Sequence, residues 1–148
     1  MSRIYFAGPL FCAAEKKFNE ELCDILTEAG YDVFLPQRDG ILAAEMAGKT
    51  ENELVRMVFE KDTGEIAKSD ILVFVTDGRV PDEGACVELG IAYASGKRCY
   101  GVRTDARSLE STLPLNPLIA GCFRKIFAAD TGETLCASLR AYLAEHEL

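Results

Sequence analysis

The sequence predicts a doubly wound α/β domain of flavodoxin- or Rossmann-like type, in which a five-stranded parallel sheet carries helices on both faces. Short runs of β-branched and aromatic residues alternate with longer segments of helical periodicity, and neither an internal repeat nor a low-complexity linker interrupts them. The run DILVFV is almost wholly apolar, as expected for a strand that a parallel sheet buries on both faces. The length of 148 residues favours one domain over residues 1–148.

The elements follow in order along the chain. The first strand, RIYFAG, ends at the turn signal Gly8–Pro9. A helix over 14–29 has its apolar side chains on one face and stops at Gly30. The strand YDVFLP ends at Pro36, and a long connection with at most a partial helix follows it. The remaining predictions are helix 51–68, strand 70–78, helix 84–96, strand 98–104, short helix 115–121, strand 124–129 and helix 132–147.

Composition and missing motifs exclude several functions. A net charge of -8 argues against binding to nucleic acid or to an anionic membrane surface, since both need a basic footprint. The sequence has a single histidine, His146, so it lacks the residues for a zinc site of the usual kind and for a Ser-His triad. The glycine-rich signatures of dinucleotide and triphosphate cradles do not occur either. We therefore expect no metal and no cofactor, and a neutral small molecule as ligand.

The cysteines and the apolar runs predict a reduced, cytoplasmic protein. None of the six cysteines lies in a C-x-x-C pair, and we expect reduced thiols in the core. The apolar runs fall far short of the ~20 residues that a membrane-spanning helix needs, and we find no signal-peptide core.

Polar and small residues collect where the predicted strands end. In doubly wound sheets, ligands bind beyond the carboxyl ends of the strands, at the point where the strand order reverses. The segments GPLF and TDGRVPDEG occupy such ends. We therefore expect substrate contacts from Gly8, Pro9, Phe11, Asp77 and Gly84.

The segment PDEGACVELGIAYASGK carries two carboxylates, Asp82 and Glu88, six positions apart. We expect Glu88 in the first turn of a helix, where the macrodipole favours its ionised form. An acidic residue there often only supports the helix, but the small residues around Glu88 suit the close approach of a ligand. A third carboxylate, Asp62, lies on a helix whose neighbouring apolar residues we expect to be buried, namely Leu54, Val58 and Phe59.

Together these groups fit a two-carboxylate glycosyl-transfer site. Glu88 would attack an anomeric carbon, and Asp82 or Asp62 would donate a proton from a drier position with a raised pKa. Tyr5, at the end of the first strand, could reach the same pocket and orient Glu88 with its hydroxyl. The alternatives are a solvated helix residue for Asp62, a turn residue or N-cap for Asp82, and a core tyrosine for Tyr5.

Four segments resemble the nucleoside 2-deoxyribosyltransferase family: IYFAGPLF, EKDTGEIAKSDILVFVTDG, DEGACVELGIAYASGK and LPLNPLIAG. The resemblance runs from the first strand to about residue 121 and implies a single domain of this kind over 1–148. It implies that Glu88 forms a covalent deoxyribosyl ester, that Tyr5 positions it, and that Asp62 and Asp82 contact or protonate the base. It also implies that Asn116 enters a neighbouring subunit's site in an oligomer of dimers, although an asparagine capping the short helix is the structural alternative.

The implied activity is transfer of a 2-deoxyribosyl group between nucleobases, with 2′-deoxyribonucleosides, free bases and other copies of the chain as partners. Hydrolysis of deoxynucleoside 5′-monophosphates is the nearest alternative, and it would need a phosphate contact. That contact could come from Arg103, Arg107, Ser108 and Ser111. A nucleotide-binding module without catalysis on the same fold is the other alternative.

Overall fold

The computed structural model describes residues 1–41, 43–107 and 113–148. Its strands are β1 (Arg3–Ala7), β2 (Asp32–Phe34), β3 (Ile71–Val75), β4 (Arg98–Arg103) and β5 (Lys125–Ala128). Its helices are α1 (Ala13–Glu28), α2 (Pro36–Asp39), α3 (Ala43–Met46), α4 (Glu51–Lys68), α5 (Glu83–Ala94), α6 (Pro117–Ala120) and α7 (Gly132–Glu145).

The five strands form one parallel sheet in the order β2-β1-β3-β4-β5. The predicted doubly wound fold is therefore confirmed, with the flavodoxin-like strand order. The order reverses between β1 and β3, because the chain leaves β1 towards one edge of the sheet and returns to β3 on the other side. The long connection after β2 contains two short helices, α2 and α3.

Alternation along the strands divides the core into two layers. In β1, Ile4 and Phe6 pack with α1 and α7 on one face. Tyr5 and Ala7 point to the other face and pack with α4 and α5. Tyr5 is the third of the five residues of β1, in the middle of the strand rather than at its end as predicted.

The two helices over the second face begin at defined caps. Thr50 starts α4 with a capping box, in which its backbone N–H donates to Glu53 Oε2 at 2.8 Å and its Oγ1 accepts from the Glu53 N–H. Asp82 starts α5, because its Oδ2 accepts the backbone N–H of Ala85 at 2.8 Å. These caps fix where each helix begins, and hence which of its side chains face the sheet.

Two predictions about burial are wrong. Val58 and Phe59 of α4 are 39% and 61% exposed, because they border an open cavity between α4 and α5. Cys12 is exposed at the start of α1, and only Cys23 and Cys99 are fully buried among the six cysteines. Within the described ranges, each helix is too short or too polar to cross a membrane.

Candidate active site

Tyr5 and Glu88 meet beneath helices α4 and α5. The Tyr5 hydroxyl donates a hydrogen bond of 2.7 Å to Glu88 Oε1. The contact joins the centre of β1 to the middle of α5, across 83 residues of sequence. The predicted approach of Tyr5 to Glu88 is therefore present, and among the described residues no hydrogen bond engages the other carboxylate oxygen, Oε2.

Burial dominates the electrostatics of Glu88. Loss of hydration raises the pKa of this carboxyl to about 7, and the charges of Asp62 and Asp82 add to the rise. The hydrogen bond from Tyr5 acts in the opposite direction, since it favours the ionised form. At neutral pH the group therefore lies near its midpoint, in the range that suits catalytic carboxyls.

The expectation that the helix dipole holds Glu88 ionised is wrong. The helix begins at Glu83, so Glu88 is its sixth residue and lies in the second turn. The influence of the macrodipole fades within the first turn, and the burial of Glu88 outweighs what is left.

Asp62 approaches the same hydroxyl from α4. It is half-buried, and loss of hydration raises its pKa, while its interaction with Tyr5 lowers it to a smaller extent. Burial also raises the pKa of Tyr5, and the charges of Glu88 and Asp62 add to that shift, so the phenol stays protonated and remains a donor. The two carboxyls and the phenol form one coupled cluster.

Asp82 is close to this cluster but has a structural task as well. Its carboxylate caps α5 through the Ala85 N–H, as one of the sequence alternatives proposed. Its charge still reaches Glu88 and raises the pKa of that group. The structure thus brings together all four predicted catalytic residues, with Asp82 at the edge of the group.

A cavity of about 540 Å³ opens between α4 and α5 above the carboxyls. This volume lies within the ~300–1,000 Å³ typical of small-molecule sites. Asp62, Glu88 and Gly84 line the cavity. Its other walls are largely apolar and come from both helices: Leu54, Val55, Val58, Phe59, Thr63, Ile66, Val87 and Ile91.

Most of the residues predicted to contact substrate at the strand ends lie elsewhere. Pro9 and Asp77 line a separate cavity of about 290 Å³ beside α1. Phe11 is 75% exposed. Gly8 lies so close to β3 that a Cβ at its position would be 3.0 Å from the Cβ of Val75, with φ at 152°. This close approach to β3 explains why residue 8 is a glycine.

Asp77 joins the loops that follow β3 and β4. Its Oδ1 accepts the backbone N–H groups of Thr104 at 2.6 Å and Asp105 at 2.9 Å, and its Oδ2 accepts the Thr104 hydroxyl. In return, the Gly78 N–H donates to Asp105 Oδ2 at 3.1 Å. The carboxylate is therefore engaged in holding the two loops together.

The polar groups expected after β4 are also engaged within the chain. Arg103 is buried and donates to the carbonyl oxygens of Thr76 and Arg107, and Arg107 pairs with Asp105. Asn116 caps α6, with its Oδ1 accepting the Leu118 N–H at 2.9 Å. Ser108 and Ser111 lie outside the described residues.

Sequence reasoning missed the support beneath Tyr5. Phe34 of β2 stacks on the Tyr5 ring, with centroids 5.4 Å apart, and the ammonium of Lys61 lies 5.4 Å from the Phe34 centroid. Phe34 is the registered neighbour of Tyr5 in the sheet. The alternation of two adjacent strands was the signal that could have identified it.

Comparisons with known proteins identify the family and the fold. A family model described as nucleoside 2-deoxyribosyltransferase matches residues 4–143. A search of curated proteins found no match. Among solved structures, a conserved protein from Enterococcus faecalis V583 has a TM-score of 0.75 and 26% identity, over 95% of this chain and 98% of that one.

Two further structures share the fold at lower identity. A 2-deoxyribosyltransferase from Bacillus psychrosaccharolyticus has a TM-score of 0.69 and 22% identity, over 93% of this chain and 96% of that one. A CMP N-glycosidase from Clostridium botulinum has a TM-score of 0.63 and 19% identity, over 95% and 98% of the two chains.

Proposed function

Because the chain belongs to the nucleoside 2-deoxyribosyltransferase family, we propose that it transfers 2-deoxyribosyl groups between nucleobases through a covalent intermediate on Glu88. The observation that carries this proposal is the hydrogen bond from Tyr5 to Glu88, whose side chain lines a cavity large enough for a nucleoside. Tyr5 occupies Oε1 and thereby orients Oε2 as the attacking atom. A carboxylate held in this way suits attack on an anomeric carbon.

The first half-reaction forms an ester. Ionised Glu88 attacks C1′ through Oε2, the C1′–N bond breaks, and its electron pair stays on the departing base. Asp62 and Glu88 share a proton in the free enzyme, and in the reactive form, with that proton on Asp62, Asp62 donates it to the base and becomes a carboxylate. The raised pKa of Asp62 supports this assignment. Asp82 is the weaker candidate for the donor, because one of its oxygens is already committed to the helix cap.

The second half-reaction reverses the first with another base. A nitrogen of the incoming base attacks C1′, the ester bond breaks, and Glu88 leaves as a carboxylate. The proton that the incoming base loses returns to Asp62. Two inversions retain the configuration at C1′. Water in place of the second base would give hydrolysis.

Nucleosides are proposed as substrates in preference to nucleoside monophosphates. The alternative needs cations for the phosphate, and the side chains of Arg103 and Arg107 already bind groups of the chain itself. This engagement supports a substrate without a phosphate.

We further propose that the active site is shared between copies of the chain. Along the cavity, α4 exposes Val55, Val58 and Phe59, which is the kind of apolar surface that partners cover. Asn116 is exposed next to Leu118, which is 82% exposed, and its amide keeps two N–H donors at the surface after capping α6. In an assembly with two-fold symmetry, two such sites are completed together.

The activity is tested by incubating the protein with 2′-deoxyinosine and free adenine, followed by chromatography. We expect 2′-deoxyadenosine and hypoxanthine to appear together, and inosine to be a poor substrate in a parallel reaction. Release of hypoxanthine without 2′-deoxyadenosine would assign a hydrolase. Turnover of 2′-deoxyinosine 5′-monophosphate alone would assign the nucleotide enzyme. Binding without turnover would assign a binding module.

Sharing of the site is tested by complementation. Inactive Glu88→Ala and Asn116→Ala chains are mixed under conditions that allow subunit exchange, which mass spectrometry of isotopically labelled chains verifies. We expect activity above that of either variant, because some sites regain both residues. Activity equal to the sum of the two variants, despite exchange, would restrict Asn116 to its own chain.

A further inference from the structure

Two polar contacts join β1 to α4 side by side. Arg3 and Tyr5 are two residues apart in β1, so both side chains lie on the same face of the sheet. Asp62 and Glu65 are three residues apart in α4, so both lie on the same side of the helix. Arg3 Nη2 donates to Glu65 Oε2 at 2.8 Å, and the Tyr5 hydroxyl interacts with Asp62.

The two contacts follow one another along the axis of α4, and we call each of them a rung. Two strand residues span about 6.6 Å, and three helix residues rise about 4.5 Å. The earlier strand residue contacts the later helix residue, so α4 runs antiparallel to β1. A shift of the helix that breaks one rung therefore moves the other by the same amount.

Glu65 is suited to fix this register. It is only 6% exposed, and leaving a buried carboxylate without a partner is costly. Its two oxygens have separate partners: Oε2 meets Arg3 of β1, whereas Oε1 meets Lys68 at 2.9 Å and Lys61 at 3.5 Å within α4. The hydrogen bond from Lys68 is the main cause that lowers the pKa of Glu65, so this carboxyl stays ionised.

We propose that Glu65 and Arg3 are positioning residues, whose ion pair sets the axial register of α4 on β1 and so holds Asp62 beside Tyr5 and Glu88. Neither residue lines the cavity between α4 and α5. The effect on catalysis rests on the function proposed above, but the effect on Asp62 does not.

The charge state of Glu88 provides a measure of the register. The groups that face it are Tyr5 from β1, Asp62 from α4 and Asp82 at the start of α5. Tyr5 and Asp82 are held by their own strand and cap. Of these three groups, a slip of α4 moves only Asp62, and it weakens the repulsion that favours protonated Glu88. Any loss of the cover that α4 gives Glu88 acts in the same direction, because burial is the main cause of the raised pKa.

The test compares three variants of the full chain. Glu65→Gln and Arg3→Gln each remove the rung to β1, whereas the control Lys68→Met removes a partner of Glu65 only within α4. The titration midpoint of Glu88 is followed by NMR of the ¹³C-labelled carboxyl, assigned with Glu88→Gln. Circular dichroism verifies that each variant is folded.

We expect Glu65→Gln and Arg3→Gln to lower the Glu88 midpoint by about half a pH unit, while Lys68→Met leaves it within error. We expect kcat for base exchange to fall about tenfold or more in the first two variants, since small misplacements of reacting groups are costly. If Glu65→Gln does not fold, the comparison of Arg3→Gln with Lys68→Met decides the question.

Unchanged Glu88 midpoints in Glu65→Gln and Arg3→Gln would overturn the proposal, as would an equal shift in Lys68→Met. A wild-type protein without base exchange would refute the proposed function but not the register. In that case the NMR midpoints alone decide whether Glu65 and Arg3 position Asp62.

Discussion

The two faces of the sheet are formed by the same strands, but the side chains that cover them differ in polarity. On the face that α1 and α7 cover, Ile4 and Phe6 are buried in a cluster of apolar side chains. On the face that α4 and α5 cover, Tyr5 is equally buried, yet its hydroxyl ends on the carboxylate of Glu88. The apolar side chain of Phe59 remains exposed on that side of the molecule.

This difference assigns stability and chemistry to opposite sides of one strand. Burial of apolar side chains against α1 and α7 stabilises the fold without the cost of removing charged groups from water. Carboxyls beneath α4 and α5 lose hydration, which costs stability but moves the pKa of Glu88 into the neutral range. Substitutions on the two faces should therefore separate loss of folding from loss of activity.

The largest expected effect is that of Glu88→Ala on activity. Without the nucleophile, base exchange should fall by on the order of 10⁴-fold or more, while the protein remains folded. Chromatographic exchange assays measure the loss. The matched control is Glu83→Ala, an exposed glutamate on the same helix, which should keep exchange near the wild-type rate. Exchange by Glu88→Ala within tenfold of wild type would place the nucleophile elsewhere.

The opposite face should respond through stability. Phe6→Ala removes a buried ring, and we expect the free energy of unfolding to fall by about 3–5 kcal/mol, measured by urea denaturation. Phe11→Ala is the control, since that ring is 75% exposed and its loss should change stability by about 0.5 kcal/mol or less. Equal losses in the two variants would contradict the assignment of β1 to the core.

The pH dependence of stability should reveal the cost of the buried carboxyl. The folded pKa of Glu88, about 7, lies above its ordinary value of 4.5, so the folded state holds the proton more tightly. The stability that this provides is complete below pH 4.5 and is lost as pH rises through 7. At pH 8, Glu88→Gln should therefore be more stable than wild type by about 3 kcal/mol relative to their difference at pH 4.

Urea denaturation of both proteins from pH 4 to pH 8 measures this difference. Parallel stability curves for wild type and Glu88→Gln across the range would contradict the raised pKa.

The smallest expected effect is that of Tyr5→Phe. The variant loses the hydrogen bond to Glu88 but keeps the ring stacked on Phe34. Exchange should fall about tenfold, since hydrogen bonds to charged groups contribute about 1.5–3 kcal/mol. Because that bond lowers the pKa of Glu88, the acidic limb of the pH–rate profile should move to higher pH.

The control for Tyr5→Phe is Tyr93→Phe, an exposed tyrosine of α5. Tyr93→Phe should change neither the exchange rate nor the pH at which the acidic limb of the pH–rate profile lies. A loss of rate in Tyr5→Phe without movement of the limb would mean that the hydroxyl does not act through Glu88.

The fold could be predicted because its signals are local. Periodicity and turn residues placed the five strands. The contact of Tyr5 with Glu88 was expected from the end of the first strand, whereas Tyr5 lies in its middle and alternation turns it towards α5. The start of α5 was harder to place, because PDEG offers two adjacent acidic residues, Asp82 and Glu83, close to the predicted start. The choice of Asp82 as cap moves Glu88 out of the first turn, which sequence reasoning did not foresee.

Other features depend on contacts between distant parts of the chain. Helical periodicity indicates that α4 has apolar residues, but it does not indicate which other element covers them. For that reason the sequence could not predict that Phe59 is exposed. Asp77 resembles a turn residue in sequence, whereas its partners, Thr104 and Asp105, lie 27 and 28 residues away. The raised pKa of Glu88 likewise arises from burial by several elements.

The alternation of β1 also limits how this strand can change in length. Deleting one residue between Arg3 and Tyr5 would turn the phenol towards α1 and bring the ring of Phe6 to the carboxyls, since side chains change face at every step. Substitutions in β1 are therefore graded in their effects, whereas an insertion or deletion exchanges the two faces at once. The strand can diverge in composition during evolution, but its count of residues between Arg3 and Tyr5 is constrained by the site.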